Sequence, residues 1–430
     1  MLASILLSIC QKQQKIESGD EKVVTLTFWH SMVSSSALAL EKLIKRFEAE
    51  YPNIRIKPQY VPSGNALLQK LITAVQSRTT PDISWLYAGC FGDLVKADAI
   101  YDIDYFLKGS DTSIVNDLND VFPALIQLGS SKGTLYSVPM EATNFGLLYN
   151  RDLFRQCGLD PDKPPKNWDE LVSYSRALTV DRNDDKKYDQ VGILLPVHPA
   201  DGPLGGFMVW HWVAFLWQAG GYVINEDQTR VLFNSSAGRE ALYLWKTIYN
   251  DLALSNFTAD QDMAFASQMT AMILDGPWNL PRFDKLLNKM DWAVAPLPEG
   301  PFQRATNTGG EFLVIFKQSK HPQEAWEFVK WIIQPEIQAF WSMESGYLPV
   351  RRAVLDIQSY QNYLEKHPNC RVYVEQMKFA RSTRSIDNYS QEIDRLLANA
   401  IEKATVGKME SQGALDEAAA RANRLLSTNY

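Results

Sequence analysis

Apolar residues along this chain repeat with a period of two in some stretches and a helical period in others, and the pattern starts at Val23. Val23-Val24-Thr25-Leu26-Thr27-Phe28 is β-branched and apolar and predicts a strand. Leu40, Leu43, Ile44, Phe47 and Tyr51 then fall at helical spacing, with Glu41, Lys42, Lys45, Arg46 and Glu48 on the other face, until Pro52-Asn53 ends the helix. Ile54 and Ile56 alternate with Arg55 and Lys57, which predicts a second strand. The three form a β-α-β unit, and parallel sheets built from such units bind ligands beyond the carboxyl ends of their strands. The turn expected at that end, Trp29 to Ser36, carries an indole, the His30 imidazole and several hydroxyls, Ser31 among them.

The same periods continue downstream. Ser63-Gly64-Asn65 opens a helix with Leu67, Leu68, Leu71, Ile72 and Val75 on one face, and Ile83 to Tyr87 follows as a short buried strand. Asn167 with Glu170 three residues on is a capping-box pattern for a helix to Leu178. Trp210 to Trp217 predicts a helix stopped at Gly220-Gly221. Its Trp210, Val213, Ala214 and Trp217 share a face expected in the core, which leaves His211 and Trp212 to reach a cleft. Ser236 to Asn250 is amphipathic through Leu242, Trp245 and Tyr249. Thr270 to Leu274 is a strand that Gly276-Pro277 prevents from continuing, so Trp278 lies just past its end. Trp292 to Leu297 is strand-like. Thr306 to Glu311 is a glycine-rich turn in which Gly309 and Gly310 can bring backbone N–H groups close to a ligand, ahead of the strand Phe312 to Phe316. The helix Gln323 to Ile333 is expected to bury Ala325, Trp326, Val329 and Ile333, and Leu415 to Leu426 is helical.

A length of 430 residues with 46% hydrophobic content allows two domains. A net charge of −7 without a basic run argues against nucleic-acid binding. The 12 tryptophans serve either as core or as stacking platforms, and composition does not separate the two. Cys10, Cys90, Cys157 and Cys370 include no CxxC pair, so no zinc site is indicated, and a disulfide among the last three stays open. Asp181 to Asp185 begins like a calcium loop, but Lys186 and Gly192 stand where Gly and Glu are needed, which favours a solvated turn. No P-loop, GxSxG or HExxH motif is present, and no cofactor or metal is expected. Glu141 and Asp275 are the acidic pair to consider for glycosidase chemistry, although acceptors for ligand hydroxyls are the simpler role. Leu2 to Ile9 is too short to span a bilayer as a helix. Leu7-Ser8-Ile9-Cys10 looks like a lipoprotein processing site that would acylate Cys10, with residues 11–22 as a polar tether, although no Lys or Arg precedes the run and Ile9 stands where small residues are usual.

Phe28-Trp29-His30-Ser31-Met32, with Arg46-Phe47-Glu48-Ala49-Glu50-Tyr51-Pro52 on the following helix, resembles the start of bacterial ABC-transporter solute-binding proteins of extracellular family 1. The carbohydrate and glycerol-3-phosphate binders are the nearest in kind. The resemblance implies an α/β, two-lobed periplasmic-binding-protein-like fold, with three hinge crossings and a ligand cleft between the lobes. It implies an extracytoplasmic monomer that hands a small solute to membrane permease subunits, meeting the membrane itself only through a lipid anchor. Gly133 to Asn144 resembles the first crossing, Thr306 to Glu311 is placed at the second, and Gly346-Tyr347-Leu348-Pro349-Val350 at the third. Lobe one is then 23–140 with 312–338, and lobe two 141–311 with 339–430. Asp275-Gly276-Pro277-Trp278 resembles the family's Gly-x-Trp ligand wall, whereas Ser267-Gln268-Met269 replaces a Gly-Lys-Ala turn. Tyr87 matches a position where the glycerol-3-phosphate binders carry a carboxylate, Thr143 matches a hydroxyl, Tyr347 matches a tyrosine, and Arg384 or Arg381 matches a phosphate-pairing arginine. Ser63, Asn144, Gly276, Gly309 and Gly310 complete the ligand candidates. The lost carboxylate and the indole count favour a neutral sugar stacked on Trp278 and Trp212. A glycerol-phosphate solute, a carbohydrate-active enzyme and a surface receptor are the alternatives.

Overall fold

The computed structural model describes residues 23–62, 65–87, 91–108, 113–201, 204–252, 260–382 and 391–428. In chain order the strands that build the scaffold are β1 (Val24–His30), β2 (Ile54–Tyr60), β3 (Ile83–Tyr87), β4 (Val138–Pro139), β5 (Thr143–Asn144), β6 (Gly146–Asn150), β7 (Val191–Leu194), β8 (Thr270–Asp275), β9 (Trp292–Ala295), β10 (Thr306–Gly309), β11 (Glu311–Ile315) and β12 (Ala380–Arg381).

The first β-α-β unit forms as its pattern predicts. β1 pairs in parallel with β2 and β3, and the helix Ser34–Glu50 covers them with Leu40, Leu43 and Phe47 buried. β1 runs on through Trp29 and His30, which pair with Gln59 and Tyr60, so both residues are strand rather than turn. The lobe-one sheet has the order β2-β1-β3-β11-β4, with β11 antiparallel to β3. The helix Pro322–Ile332 packs on it with Ala325, Trp326, Phe328 and Val329 buried.

Lobe two is built on the sheet β9-β6-β8-β7. Its core gathers Phe215, Trp212 and Trp245 from the helices Gly205–Gln218 and Ser236–Leu252, with Leu397 and Leu415 from the C-terminal pair Gln391–Thr405 and Ser411–Thr428. The helix Trp168–Ala177 starts with the expected capping box: Asn167 accepts from the Glu170 N–H, and the Glu170 carboxylate accepts from the Lys166 N–H. Asp181 accepts from the backbone N–H groups of Asn183 and Lys186, so its carboxylate closes its own turn. Cys157 and Cys370 are free thiols, and Cys10 and Cys90 lie outside the described residues. Among the described residues no helix is long and apolar enough to cross a membrane.

A small third sheet, β12-β10-β5, lies where the chain passes between lobes. Thr143 and Asn144 on the first crossing pair with Gly309 and Thr308 on the second. Ala142 and Leu348 exchange both backbone hydrogen bonds, at 2.9 and 2.8 Å, which binds the first crossing to the third. Gln338 ties the same two together, donating to the Met140 carbonyl and accepting from the Val350 N–H. The return to lobe two falls later than residue 339. The helix Pro335–Ser345 packs on Ser34–Glu50. Phe122 N–H bonds the Val350 carbonyl, and buried Arg351 pairs with Asp117 at 2.7 Å and Asp120 at 3.0 Å. These partners hold residues 339–351 on lobe one.

Candidate functional site

The three crossings floor a cavity of about 200 Å³ between the lobes. Lobe one contributes Tyr87 from the end of β3, Leu128, Glu311 from the start of β11, and Tyr347. The crossings add Thr143, Thr308, Gly309 and Gly310, and Ser382 closes one side. Lobe two contributes an aromatic wall of Phe207, Trp210 and Trp278. Phe207 and Trp210 lie 5.9 Å apart with rings only 13° from parallel, and Trp278 stands 6.0 Å from Trp210 at 58°. The corner is fixed from behind. Asn307 donates to the Trp210 carbonyl at 2.8 Å, and Thr308 donates to the Thr143 carbonyl at 2.8 Å. Trp278 folds back over Gly276, where a β-carbon would lie 1.9 Å from its ring.

Of the residues expected to meet a ligand, Tyr87, Thr143, Trp278, Gly309, Gly310 and Tyr347 line this cavity. Ser63 and Arg384 lie outside the described residues. Trp212 does not reach the cavity, and Trp210 takes the place expected of it. Trp212 and His211 are fully buried in lobe two. The helix Gly205–Gln218 is buried on every side, so the apolar period along it does not single out a cleft face. His30 and Ser31 are buried beside the first crossover, and His30 Nδ1 accepts from the Met32 N–H. The Trp29 ring is already covered by the Lys70 ammonium, 4.1 Å from its centre. Asn144 acts as a clip, donating to the Tyr373 carbonyl at 2.8 Å and accepting from Gln376. Gly276 supports Trp278 instead of lining the space.

The two carboxyls singled out by sequence also turn inward. Both oxygens of fully buried Glu141 accept indole N–H bonds, from Trp85 at 3.0 Å and Trp341 at 2.9 Å. Asp275 accepts from the Gly276 N–H and from Asn279, each at 2.7 Å. Burial pushes the Glu141 carboxyl up to about 7 and the Asp275 carboxyl up to about 8, in the latter case with Asp262 adding to the effect. The missed lining residues are Leu128, Phe207, Trp210, Thr308, Glu311 and Ser382. A sequence signal existed for Glu311, which directly follows the paired glycines of a crossing.

These two acids make stability depend on pH. Each has a folded-state pKa above its unfolded value, so its contribution is complete at acid pH and is lost as pH rises through about 7 and about 8. Buried His211, held neutral with its pKa lowered to about 3, acts oppositely and loses its contribution as pH falls below 6.5. Above about pH 6.5 His211 adds no slope and the acids set the fall: Asp275 gives up to about 1.4 kcal/mol per pH unit until its folded pKa of about 8, while the Glu141 share levels off above about 7. Denaturant midpoints should fall across that range, and Asp275→Asn should flatten the fall. An unchanged slope in the variant would refute the assignment.

The sequence profile of bacterial extracellular solute-binding proteins matches residues 42–368. The sn-glycerol-3-phosphate-binding periplasmic protein of Shigella flexneri is 26% identical over 429 residues, covering 94% of this chain and 93% of the relative. The cyclic α-maltosyl-1,6-maltose binding protein of Arthrobacter globiformis superposes with a TM-score of 0.80 at 29% identity, covering 94% of this chain and 99% of that one. A glycerophosphocholine complex from Mycobacterium tuberculosis shares the fold at a TM-score of 0.80 and 21% identity, over 94% and 99% of the two chains.

Proposed function

The chain belongs to the bacterial extracellular solute-binding protein family, and we propose that the solute it captures is a small carbohydrate. The observation that carries this reading is the two-sided cavity wall. The flat apolar rings of Phe207, Trp210 and Trp278 face the polar groups of Tyr87, Tyr347 and Glu311. A sugar ring is two-sided in the same way, with C–H faces that stack on indoles and a rim of hydroxyls that hydrogen-bond. The bodies that close on it are residues 23–140 with 311–353, and 145–308 with the C-terminal helices Gln391–Thr405 and Ser411–Thr428. Closure about the three paired crossings excludes water and presents the loaded form to the permease of an ABC importer. Acylation of Cys10, outside the described residues, would tether the protein at the membrane.

A binding role is supported over hydrolysis by the placement of Glu141 and Asp275. Both are buried and occupied by protein donors, away from the cavity wall. A glycerol-phosphate solute is the second reading, favoured by the Shigella relative. Against it, the described lining holds no lysine or arginine to neutralise a phosphate, and that role would fall to Arg384.

A thermal-shift screen of the purified chain separates the two. The panel holds mono- and oligosaccharides, polyols, glycerol-3-phosphate and glycerophosphodiesters. A saccharide present at about a hundredfold excess over its Kd should stabilise the protein by about 2.7 kcal/mol. Shifts with phosphorylated compounds alone would replace the carbohydrate reading by the second.

A further inference from the structure

Trp278 hangs from one short turn. β8 ends at Asp275, and the chain leads from it through the single helical turn Pro277–Asn279 into the helix Leu280–Leu286. Within that turn Pro277 has no N–H to give, and the Asn279 N–H reaches the Gly276 carbonyl only at 3.3 Å. The shorter contacts come from one side chain. Asp275 is 2% exposed. One of its carboxyl oxygens accepts from the Gly276 N–H and the other from the Asn279 side-chain amide, each at 2.7 Å. These partners flank Trp278 in the chain, so the carboxyl group bridges the turn that carries the indole.

The bridge is anchored at both ends. The Asp275 backbone pairs with Gly146 across the lobe-two sheet, and its carbonyl accepts from the Tyr373 hydroxyl at 3.1 Å. Asn279 also donates to Asp262 at 3.4 Å, and Asp262 is paired with Arg282. On the outer side, a β-carbon on Gly346 would lie 2.7 Å from the Pro277 carbonyl oxygen, so the third crossing lies against the same turn. The ring's aromatic neighbours are more distant, with centres 6.0 Å away at Trp210 and 6.2 Å at Phe207.

We propose that Asp275, acting with Asn279, is a positioning residue that sets Trp278 at its angle on the cavity wall. The consequence for affinity rests on the carbohydrate reading; the placement of the indole does not. Asp275 is buried away from the cavity and acts through the indole. Its loss therefore weakens binding no more than loss of the indole itself. Position 275 requires two polar atoms and not a charge. With Asn there, the side-chain oxygen accepts from the Gly276 N–H, and the amide donates to the Asn279 side-chain oxygen once that amide turns over.

Fluorine NMR of the full chain labelled with 5-fluorotryptophan tests the placement, with the Trp278 signal assigned by Trp278→Phe. In the ligand-free protein Asn279→Ala and Asp275→Leu should shift or broaden that signal, while tryptophans outside the aromatic corner keep theirs. Asp275→Asn should restore it. Asn279 is half-buried, so its truncation leaves a folded protein even where Asp275→Leu does not. A Trp278 signal that Asn279→Ala leaves in place would overturn the proposal. Calorimetry with maltotriose and mannobiose tests the consequence. Asn279→Ala should weaken binding about fivefold, and should cost nothing further in a Trp278→Ala background. An equal loss in both backgrounds would overturn action through Trp278. Absence of binding by either sugar to the unaltered protein would count against the carbohydrate reading, and the fluorine signal alone would then decide the positioning role.

Discussion

Trp278→Ala is expected to weaken saccharide binding about 30- to 100-fold while leaving the protein folded. The indole forms one side of the aromatic corner, at 58° to Trp210, and its loss removes a face on which a ring can stack. Burying an aromatic side chain against a partner is worth about 2–3 kcal/mol, and each 1.4 kcal/mol is about a factor of ten. The indole is half-buried and stands outside the β8 ladder, so deletion leaves the lobe-two sheet intact. Gly276→Ala should act in the same direction more weakly, because the new methyl group meets the ring at 1.9 Å and must push it aside. Calorimetric titration with a saccharide that raises Tm checks both variants. Undiminished affinity in Trp278→Ala would show that the aromatic corner is not the stacking surface.

The second large effect concerns stability. Gly310→Ala should destabilise the protein by about 3 kcal/mol, whereas Gly309→Ala should leave stability nearly unchanged and narrow the cavity. Neither glycine has a positive φ, so available space decides the outcome. A β-carbon on Gly310 would lie 2.0 Å from the Glu141 carbonyl oxygen, in backbone that is itself pinned to Leu348 through Ala142. Nothing flexible can yield there, and the first two crossings must part. At Gly309 the nearest atom is Trp210 Nε1 at 3.4 Å, which is a tolerable contact on the open side. At about 2–4 °C per kcal/mol for a domain the size of one lobe, Gly310→Ala should lower Tm by roughly 6–12 °C. Equal melting of the two variants would mean that the crossings do not pack as tightly as their geometry indicates.

Much of the scaffold was readable residue by residue. The strand, helix and strand at the start of the chain, the Asn167 capping box and the buried face of Pro322–Ile332 all follow from spacing, because local backbone hydrogen bonding imposes those periods. The first crossing was legible as an extended polar run and the second as a glycine-rich turn, while the third was placed by resemblance at Gly346 to Val350. Trp278 was legible too, since a Gly-Pro stop places the next bulky residue at the end of a strand. Other positions were not. His30 and Trp29 looked like turn residues, but pairing with Gln59 and Tyr60 extended the strand through them.

The sequence by itself determined the element order, the faces of the amphipathic helices, and membership in a two-lobed solute-binding fold. Tertiary structure alone decided which tryptophan faces the cavity. A helix that is apolar on every side carries no record of its outward face, and Trp210 rather than Trp212 meets the cleft because β10 crosses there. It likewise decided that Glu141 turns inward. The indoles of Trp85 and Trp341 that hold Glu141 lie 56 and 200 residues away in the chain, and no local pattern can register partners so distant.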